Sequence, residues 1–405
     1  MQYTNPIILS DYSDPDVIRV GEDFFMVSSS FNYVPGVPIL HSKNLVEWEI
    51  INYVLPKIPF ARFDKVVHGA GAWAVSLRYH NGIYYCLIPF PDEGIFVCET
   101  LDPWGEWSSP RPLLEGSGYE DPCPIWLDNK CYVVFGFVRS RIGFNSKLAI
   151  FETDELLTNK ATTYKIIYDK PNISPLIEGP KFYKHGEYIY ILAPAGGVAT
   201  GWQVALRSKS IYGDYETKII MVQGGSNVNG PHQGALIDLD DSGNNWAFVH
   251  FQQKGVFGRV VHLQPAHWVR GWVICGKETY DNLPGNPVEC GEYPINIKTN
   301  AIIDPSADFL QNLPLVWQFP ANPKAGYFEV QNGLKLNCVY TEENSLAYVP
   351  QVLTQKIQYY NFDITAECKI ALKEEGDEVG FVCFGKEYAY ICATRRNGEN
   401  YLDTA

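Results

Sequence analysis

Three acidic residues stand at matching places along the sequence. Asp14, Asp121 and Glu178 each come just before an extended apolar run that is typical of a buried strand. Trp73 and His232 hold the same place before two similar runs. A pair of carboxyl groups can cut a glycosidic bond, because one protonates the leaving oxygen while the other activates water or attacks the sugar. A third carboxylate also has a use, since its charge keeps the acid protonated near neutral pH.

Each carboxylate also has an ordinary structural interpretation. Asp14 and Asp121 precede prolines, and Asp-Pro commonly begins a turn. Glu178 is followed by Gly-Pro, but glutamate is a poor turn residue at the start of a buried run. Because the three residues share one register, a purely structural explanation of the whole set is disfavoured. We place the other acidic residues in solvated loops, including Asp16, Asp238, Asp240, Asp241 and residues 374–377.

Four further side chains are candidates for binding. Phe31 and Trp73 offer flat apolar faces for sugar C–H groups, although either ring could equally belong to the core. Arg259 lies between strand-like residues, where its ordinary role is an ion pair. His232 could ligate a metal, but a lone histidine more often hydrogen-bonds buried groups.

The elements that position these residues are copies of one hairpin unit. In each copy an extended run follows the heading residue, and a turn leads into a second run rich in aromatic and β-branched residues. The turns fall at residues 21–23, 81–82, 128–130, 184–186 and 241–245. Copies spaced by roughly 45 to 60 residues fit four-stranded propeller blades better than helical solenoids. Five blades would bring the five heading residues together at one mouth of the central channel.

Composition narrows the class of protein and of partner. The chain has 405 residues, of which 14% are aromatic, and a formal net charge of −14. The negative charge argues against nucleic acid or an anionic membrane as the partner and favours a neutral ligand. The amino terminus has no basic segment followed by an apolar core, and no apolar run has membrane-spanning length, so we expect a cytoplasmic protein. The ten cysteines form no Cys-x-x-Cys pair and look like reduced core thiols.

Helical periodicity is almost absent, so the sequence predicts an all-β protein. The best helical candidates are short turns near residues 42–48 and 153–159. The hairpin pattern ends in a turn-rich stretch over residues 281–294. We therefore predict a five-bladed β-propeller over residues 1–300 and a β-sandwich over residues 310–405, which is either short for its class or incomplete. The strand-like runs of the second domain are residues 315–319, 362–369 and 379–384.

Seven short stretches of the sequence resemble those of a known family. The stretches concerned are residues 5–7 (NPI), 12–16 (YSDPD), 37–45 (VPILHSKNL), 73–74 (WA), 177–180 (IEGP), 250–252 (HFQ) and 258–265 (GRVVHLQP). They resemble glycoside hydrolase family 43 over nearly the whole chain. The resemblance is greatest to β-xylosidases that carry a carboxy-terminal β-sandwich, which residues 315–319 also match.

The resemblance implies a five-bladed propeller that works by inversion. It implies Asp14 as general base, Glu178 as general acid and Asp121 as the residue that adjusts the pKa of the acid. It also implies that Phe31, Trp73 and Arg259 line the sugar subsites, since they stand at positions that do so in the family. A channel histidine that in some members sits beside calcium corresponds to His232. Two features differ from the family pattern: Ser13 replaces a more usual proline, and the sandwich is about half its usual length.

The predicted function is that of an inverting exo-glycosidase, which trims xylose, and arabinose as a second candidate, from short oligosaccharides. No cofactor is needed for this chemistry, and calcium is predicted only as a channel ion. One alternative is a retaining furanosidase on a similar propeller, in which the first aspartate attacks the sugar. Another is a non-catalytic propeller that only binds sugar. The sequence leaves open the preference between xylose and arabinose, the number of subsites and whether the chain forms a homo-oligomer.

Overall fold

The computed structural model describes residues 1–278, 280, 283–305, 308–342, 345–385 and 387–404. The first two residues of the turn-rich stretch 281–294 and the last residue of the predicted second domain lie outside this range. The described strands confirm an all-β protein with five four-stranded antiparallel sheets, each in simple up-and-down order.

The strands of the propeller follow the chain blade by blade. A short β1 (Gln2–Thr4) precedes blade 1, which is β2 (Asp16–Val20), β3 (Asp23–Val27), β4 (Gly36–Ser42) and β5 (Glu49–Leu55). Blade 2 is β6 (Ser76–His80), β7 (Ile83–Phe90), β8 (Gly94–Thr100) and β9 (Arg111–Glu115). Blade 3 is β10 (Tyr119–Leu127), β11 (Lys130–Phe137), β12 (Leu148–Asp154) and β13 (Lys165–Tyr168). Blade 4 is β14 (Lys181–His185), β15 (Tyr188–Ala195), β16 (Trp202–Ser208) and β17 (Glu216–Met221). Blade 5 is β18 (His232–Asp238), β19 (Trp246–Gln253), β20 (Arg259–Val269) and β21 (Trp272–Cys275).

Local sequence explains the hairpins of the blades. Asn81 and Gly82 join β6 to β7 with φ of 50° and 86°, left-handed values that these two residue types tolerate best. The following strand β7 is buried along almost its whole length, because it lies between the first and third strands of its sheet and packs on both faces. Its continuous apolar sequence therefore predicts a core strand correctly.

The ring closes through the amino-terminal segment. The strand β1 pairs antiparallel with β22 (Cys290–Glu292), which follows the last blade. Asn5 adds side-chain hydrogen bonds of 2.8 Å to the carbonyl oxygens of Leu263 and Val288. These contacts tie the start of the chain to blade 5, so the first and last blades are held together.

A buried ionic group, here called the axis cluster, joins three blades at the propeller axis. Asp16 at the start of β2 accepts hydrogen bonds from Arg78 Nη1 at 2.7 Å and from the Leu77 amide at 2.8 Å. Lys181 of β14 lies 3.8 Å from the same carboxylate oxygen and donates to the Val75 carbonyl oxygen at 2.8 Å. The prediction that Asp16 lies in a solvated loop is therefore wrong, since its side chain is fully buried.

Helical structure is short in the described part of the chain. The α-helix α1 (Arg139–Ile142) is one turn long, and 3-10 turns occur at Ala61–Asp64, Gly255–Phe257 and Leu346–Tyr348. The stretches 42–48 and 153–159, which we considered as helical candidates, form bends and turns at strand ends instead. No helix within the described ranges has both the length and the apolar character needed to cross a membrane.

The carboxy-terminal domain contains two small antiparallel sheets. They comprise β23 (Phe328–Val330), β24 (Leu334–Leu336), β25 (Glu378–Cys383), β26 (Ala389–Arg396) and β27 (Glu399–Thr404). The predicted strand at residues 379–384 corresponds to β25. Residues 362–369 form no strand, because no described segment pairs with them, and residues 315–319 make only isolated bridges. Several thiols of this region are exposed rather than in the core: Cys338, Cys368 and Cys383.

The second domain is fastened to blade 1 by backbone pairing. Phe319 and Val34 exchange two hydrogen bonds of 2.7 and 2.8 Å. Asn322 caps the next loop by accepting from the Ile58 amide at 3.0 Å. Farther along the chain, Lys356 donates from its buried ammonium group to the Asp11 carbonyl oxygen and lies 4.1 Å from the centre of the Tyr12 ring. The second domain therefore contacts the loop that leads into blade 1.

The axis cluster makes a first prediction about stability. Asp16→Asn keeps the shape of the side chain but leaves two buried cations without their counter-charge. Removing one partner of a buried ion pair costs about 3 to 5 kcal/mol, so we expect a loss of that order in the free energy of unfolding by urea. The control is Asp128→Asn, made in an exposed turn where asparagine tolerates the left-handed φ of 52°. Equal stability of the two variants would contradict a structural role for the axis cluster.

Candidate active site

The candidate active site lies where the innermost strands of the blades begin. Asp14 and Asp121 have left-handed φ values of 55° and 56°, which aspartate tolerates better than most residues. In β10 the pairing register shifts between Glu120 and Cys123, so Asp121 sits in a bulge. Glu178 comes before β14 and is followed by Gly179, whose φ is 58°. Irregular backbone therefore places each of the three carboxylates.

Asp14 is buried and surrounded by hydrogen-bond donors. Arg259 Nη1 lies 3.0 Å from its Oδ1 and 3.1 Å from its Oδ2. The hydroxyls of Ser13 and Ser29 donate to Oδ2 at 2.7 and 2.6 Å. A guanidinium group and two hydroxyls complement a negative charge, so this environment suits an ionised carboxylate.

Glu178 differs from Asp14 in exposure and in partner. Its side chain is 35% exposed, whereas that of Asp14 is 4% exposed. Its Oε1 lies 2.6 Å from Nε2 of His232, which is almost fully buried. The histidine therefore holds one carboxyl oxygen of Glu178, which remains accessible from the mouth.

Asp121 is buried and lies close enough to Glu178 and Asp14 to interact with both charges. Its Oδ2 accepts a hydrogen bond of 2.7 Å from the Gly179 amide, next to Glu178 in the chain. Burial, followed by the negative charges of Glu178 and Asp14, raises the pKa of Asp121 to about 8. The neighbouring Glu120 is also buried, and burial, then Asp121, raises its pKa well above the usual range.

Carboxyl groups this close titrate together rather than one by one. When such groups interact strongly, the protons leave in steps that belong to the whole set. The raised pKa of Asp121 means that the set still holds a proton at neutral pH. A site with a retained proton and an ionised carboxylate has both groups needed for acid and base catalysis.

Aromatic side chains form one wall of the mouth. Phe31 and Trp73 meet edge to face, with ring centres 5.8 Å apart. Arg259 lies 5.4 Å from the centre of the Phe31 ring, so this wall adjoins Asp14. The Trp73 indole donates to the Gly69 carbonyl oxygen at 3.0 Å, which fixes the plane of the ring. Both rings are only partly buried and present apolar surface at the mouth.

The structure brings together the residues that the sequence singled out, in two connected sets. Asp14, Arg259, Phe31 and Trp73 make one set, and Asp121, Glu178 and His232 make the other. Sequence reasoning missed the partners of these residues: Ser13, Ser29 and Glu120. The serine run at residues 28–30 and the acidic pair 120–121 were visible, but nothing in the sequence shows which carboxylate they approach.

The channel next to His232 is polar but holds few metal ligands. His250 and His262 are stacked with ring centres 5.3 Å apart and bond Gln264 and Gln252. Burial lowers the pKa of His250 to about 4, so its ring is neutral at neutral pH. Among the described residues, no group of three or more His, Cys, Asp or Glu side chains could hold a metal ion. Calcium binding beside His232 therefore remains a prediction, and no set of side-chain ligands for the ion is found among the described residues.

Comparison with known proteins adds independent findings. The family model for glycosyl hydrolases family 43 matches residues 3–273, and that for the beta xylosidase C-terminal concanavalin A-like domain matches residues 306–404. A putative beta-xylosidase of Xylanibacter ruminicola is 36% identical over 96% of this chain and 72% of its own length. A non-reducing end alpha-L-arabinofuranosidase of Bacteroides ovatus is 31% identical over 98% of this chain and 77% of its own length.

Solved structures show the same fold. A family 43 protein from a xyloglucan locus of Bacteroides ovatus superposes with a TM-score of 0.79 at 25% identity, covering 99% of this chain and 81% of that one. A xylan beta-1,4-xylosidase from Bacillus halodurans gives a TM-score of 0.82 at 20% identity, over 99% of this chain and 81% of that one. The five-bladed propeller with a carboxy-terminal β-sandwich is thereby confirmed. The chain belongs to glycoside hydrolase family 43.

Proposed function

We propose that this glycoside hydrolase removes xylose from the non-reducing end of β-1,4-linked xylo-oligosaccharides, with Asp14 as general base and Glu178 as general acid. The observation that carries the proposal is the contrast between the two carboxylates. Asp14 is buried among an arginine and two hydroxyls, whereas Glu178 is half-exposed and bonded on one oxygen to His232. The environments suit an ionised group and a proton donor respectively.

In the proposed reaction the two carboxylates act on opposite faces of the sugar. Glu178 gives its proton to the glycosidic oxygen as the bond to the anomeric carbon breaks. Asp14 takes a proton from a water molecule, and the resulting oxygen forms a bond to the anomeric carbon from the other side. A single displacement inverts the configuration, as is general for family 43. Phe31 and Trp73 would pack against the apolar face of the sugar.

Asp121 is assigned a supporting role in this proposal. Its carboxylate is buried and accepts the Gly179 amide, which follows Glu178 in the chain. Because Asp121 and Glu178 share a like-charge interaction, neither ionises easily while the other is charged. With the pKa of Asp121 raised to about 8, the set of carboxyls retains a proton at neutral pH, and the proposed reaction passes this proton to the leaving oxygen through Glu178.

A second candidate substrate is an α-L-arabinofuranoside. The relative from Bacteroides ovatus, 31% identical to this chain, bears the name of an arabinofuranosidase. The discriminating experiment is to measure kcat/KM on aryl β-xyloside and aryl α-L-arabinofuranoside in parallel and to follow the first sugar released by NMR. A β-xyloside preference with release of the α-anomer supports the proposal. Release of the β-anomer from a β-xyloside would indicate retention and would overturn it.

Leaving-group dependence separates the acid from the base. An alkoxide needs a proton as it departs, whereas a nitrophenolate leaves with little help. Glu178→Ala should therefore lose most activity on xylobiose but keep substantial activity on a nitrophenyl xyloside. Asp14→Ala should be nearly inactive on both, with a loss on the order of 10³-fold or ~4 kcal/mol in the barrier, because both reactions need activated water.

The comparison of these two variants decides the assignment. If Asp14→Ala spares the nitrophenyl substrate and Glu178→Ala does not, the two roles are reversed. A protein that binds xylobiose and releases no sugar from either substrate would instead be a binding propeller.

The shared proton predicts a shift in the pH profile. Asp121→Asn keeps an acceptor for the Gly179 amide but removes the like charge beside Glu178. The alkaline limb of kcat/KM should therefore move to lower pH. An alkaline limb that stays in place would remove Asp121 from this role.

Stability gives an independent readout on the same variant. The pKa of Asp121 is raised from its ordinary value of 3.8 to about 8 in the folded protein. Between these two pH values the folded state binds the proton more tightly than the unfolded state, so the wild type loses stability as the pH rises. Asp121→Asn avoids this loss. Its melting temperature relative to wild type should therefore rise between pH 4 and pH 8, measured by thermal denaturation.

Calcium is tested by removal. If an ion binds beside His232, exhaustive chelation should lower the melting temperature or kcat, and added calcium should restore them. Full activity and unchanged melting after chelation would leave His232 only as the partner of Glu178.

A further inference from the structure

We propose that Ser13 and Ser29 are positioning residues that occupy one oxygen of Asp14, so that the other oxygen, Oδ1, accepts the proton from water. This inference rests on the proposed function, in which Asp14 is the general base. It starts from the hydroxyl of Ser13, which directly precedes Asp14 in the chain and donates a hydrogen bond to its carboxylate.

The first step concerns how the two oxygens of Asp14 are bonded. Oδ2 accepts the hydroxyl of Ser13 at 2.7 Å and the hydroxyl of Ser29 at 2.6 Å. A carboxylate oxygen has two lone pairs, and both of those on Oδ2 are taken by these short bonds. Oδ1 accepts only from Arg259 Nη1, at 3.0 Å, among the hydrogen bonds of the described residues. The lone pair left on Oδ1 is therefore the one available to a water molecule.

The second step concerns the orientation of Ser13 itself. Its Oγ accepts a hydrogen bond of 2.8 Å from Arg259 Nη1 while its proton goes to Asp14. The hydroxyl thus bridges the guanidinium and the carboxylate, and its direction is fixed at both ends. Ser13 is 2% exposed, so substrate does not compete for the hydroxyl. A bridge of this kind holds the carboxylate plane relative to Arg259, which lies beside the sugar-facing ring of Phe31.

The third step places Ser13 and Ser29 in their local structure. The Ser13 carbonyl oxygen accepts from the Ser29 amide at 3.0 Å and from the Ser28 hydroxyl at 2.8 Å. Ser28 and Ser29, which follow β3, therefore hydrogen-bond the backbone of the loop that carries Asp14, and Ser29 also bonds the Asp14 carboxylate. The Ser28 hydroxyl bonds the backbone of Ser13 and, among the hydrogen bonds of the described residues, none to Asp14, so Ser28 provides a control within the same cluster.

Other charged groups that face Asp14 enter the pH dependence. Arg259 comes from β20, Glu120 and Asp121 come from β10, and Glu178 precedes β14. Arg259 brings a positive charge next to Asp14, and the three acidic groups bring negative charge to the same site when they are ionised. Ser13→Ala also removes the acceptor of one Arg259 hydrogen bond, whereas Ser29→Ala removes only a donor to Asp14, so a shift that both variants share reports on the hydroxyls bound to Oδ2.

The experiment measures the acidic limb of kcat/KM on a nitrophenyl xyloside, where the base step is needed and acid assistance is small. In Ser13→Ala the ionised carboxylate loses one donor, so the acidic limb should move up by about one pH unit. We expect kcat to fall by about tenfold with little change in KM, because Ser13 is buried away from the substrate. Ser29→Ala should shift the limb in the same direction. Ser13→Thr keeps the hydroxyl and should restore the wild-type limb.

Ser28→Ala is the matched control, since it removes one buried hydroxyl from the same run without touching Asp14. It should leave the acidic limb in place even if it lowers the melting temperature. A folded Ser13→Ala enzyme with the wild-type acidic limb overturns the proposal. Should Ser13→Ala fail to fold, Ser29→Ala decides, because a wild-type limb in that variant overturns the proposal equally.

Asp14→Ala, assayed beside these variants, distinguishes a failure of the serine proposal from a failure of the proposed function. If Asp14→Ala is inactive and the serine variants have unshifted limbs, only the role of the serines is wrong. If Asp14→Ala retains activity on the nitrophenyl substrate, Asp14 is not the base and the proposed function itself is wrong.

Discussion

Negative charge crowded at the propeller axis is the constraint on which the rest of the structure depends. Four carboxyl groups lie near one another at the start of the innermost strands: Asp14, Glu120, Asp121 and Glu178. Asp16 adds a further buried carboxylate two residues along the chain from Asp14. Like charges in a poorly solvated space cannot all ionise without compensation. Arg259 compensates the charge of Asp14, and the cations of the axis cluster compensate that of Asp16. The charge of Lys181 also lowers the pKa of Asp121, against the larger effect of burial. The pKa values of Glu120 and Asp121 are still raised, chiefly by burial, so this group of carboxyls keeps protons, which is the condition that acid catalysis requires.

Much of the fold could be predicted from the sequence because propeller blades are local structures. Each strand pairs with the next one along the chain, so hairpin turns and apolar runs indicate the sheets directly. The repeat then places Asp14, Asp121 and Glu178 together by symmetry alone. Asp16 illustrates the limit of this reasoning, since Asp-Pro-Asp is a typical turn sequence. Its cations stand at positions 78 and 181, and no local pattern reveals a pairing over such separations.

The carboxy-terminal domain shows the opposite case. A β-sandwich pairs strands that are distant in sequence, so an apolar run by itself does not specify a partner. Residues 362–369 have the composition of a strand but no described neighbour to hydrogen-bond with, and they remain irregular and exposed. Side-chain hydrogen bonds have the same property: Ser13 meets Arg259 across nearly the whole propeller sequence. Strand pairing in the sandwich and hydrogen bonds such as that of Ser13 both join residues far apart in the sequence. Neither can therefore be predicted from a local sequence pattern.

Lys356 gives the boundary between the two domains a particular meaning. Its ammonium group is held on the Asp11 carbonyl oxygen, and the Asp11 carboxylate in turn accepts the backbone amide of Arg259 at 2.9 Å. The appended domain thus contacts the same short loop that carries Ser13 and Asp14. The loop that carries the proposed base is therefore held from two sides, by blade 5 through the Arg259 amide and by the second domain through the Lys356 ammonium group. A chain without the second domain would lose one of these two hydrogen bonds.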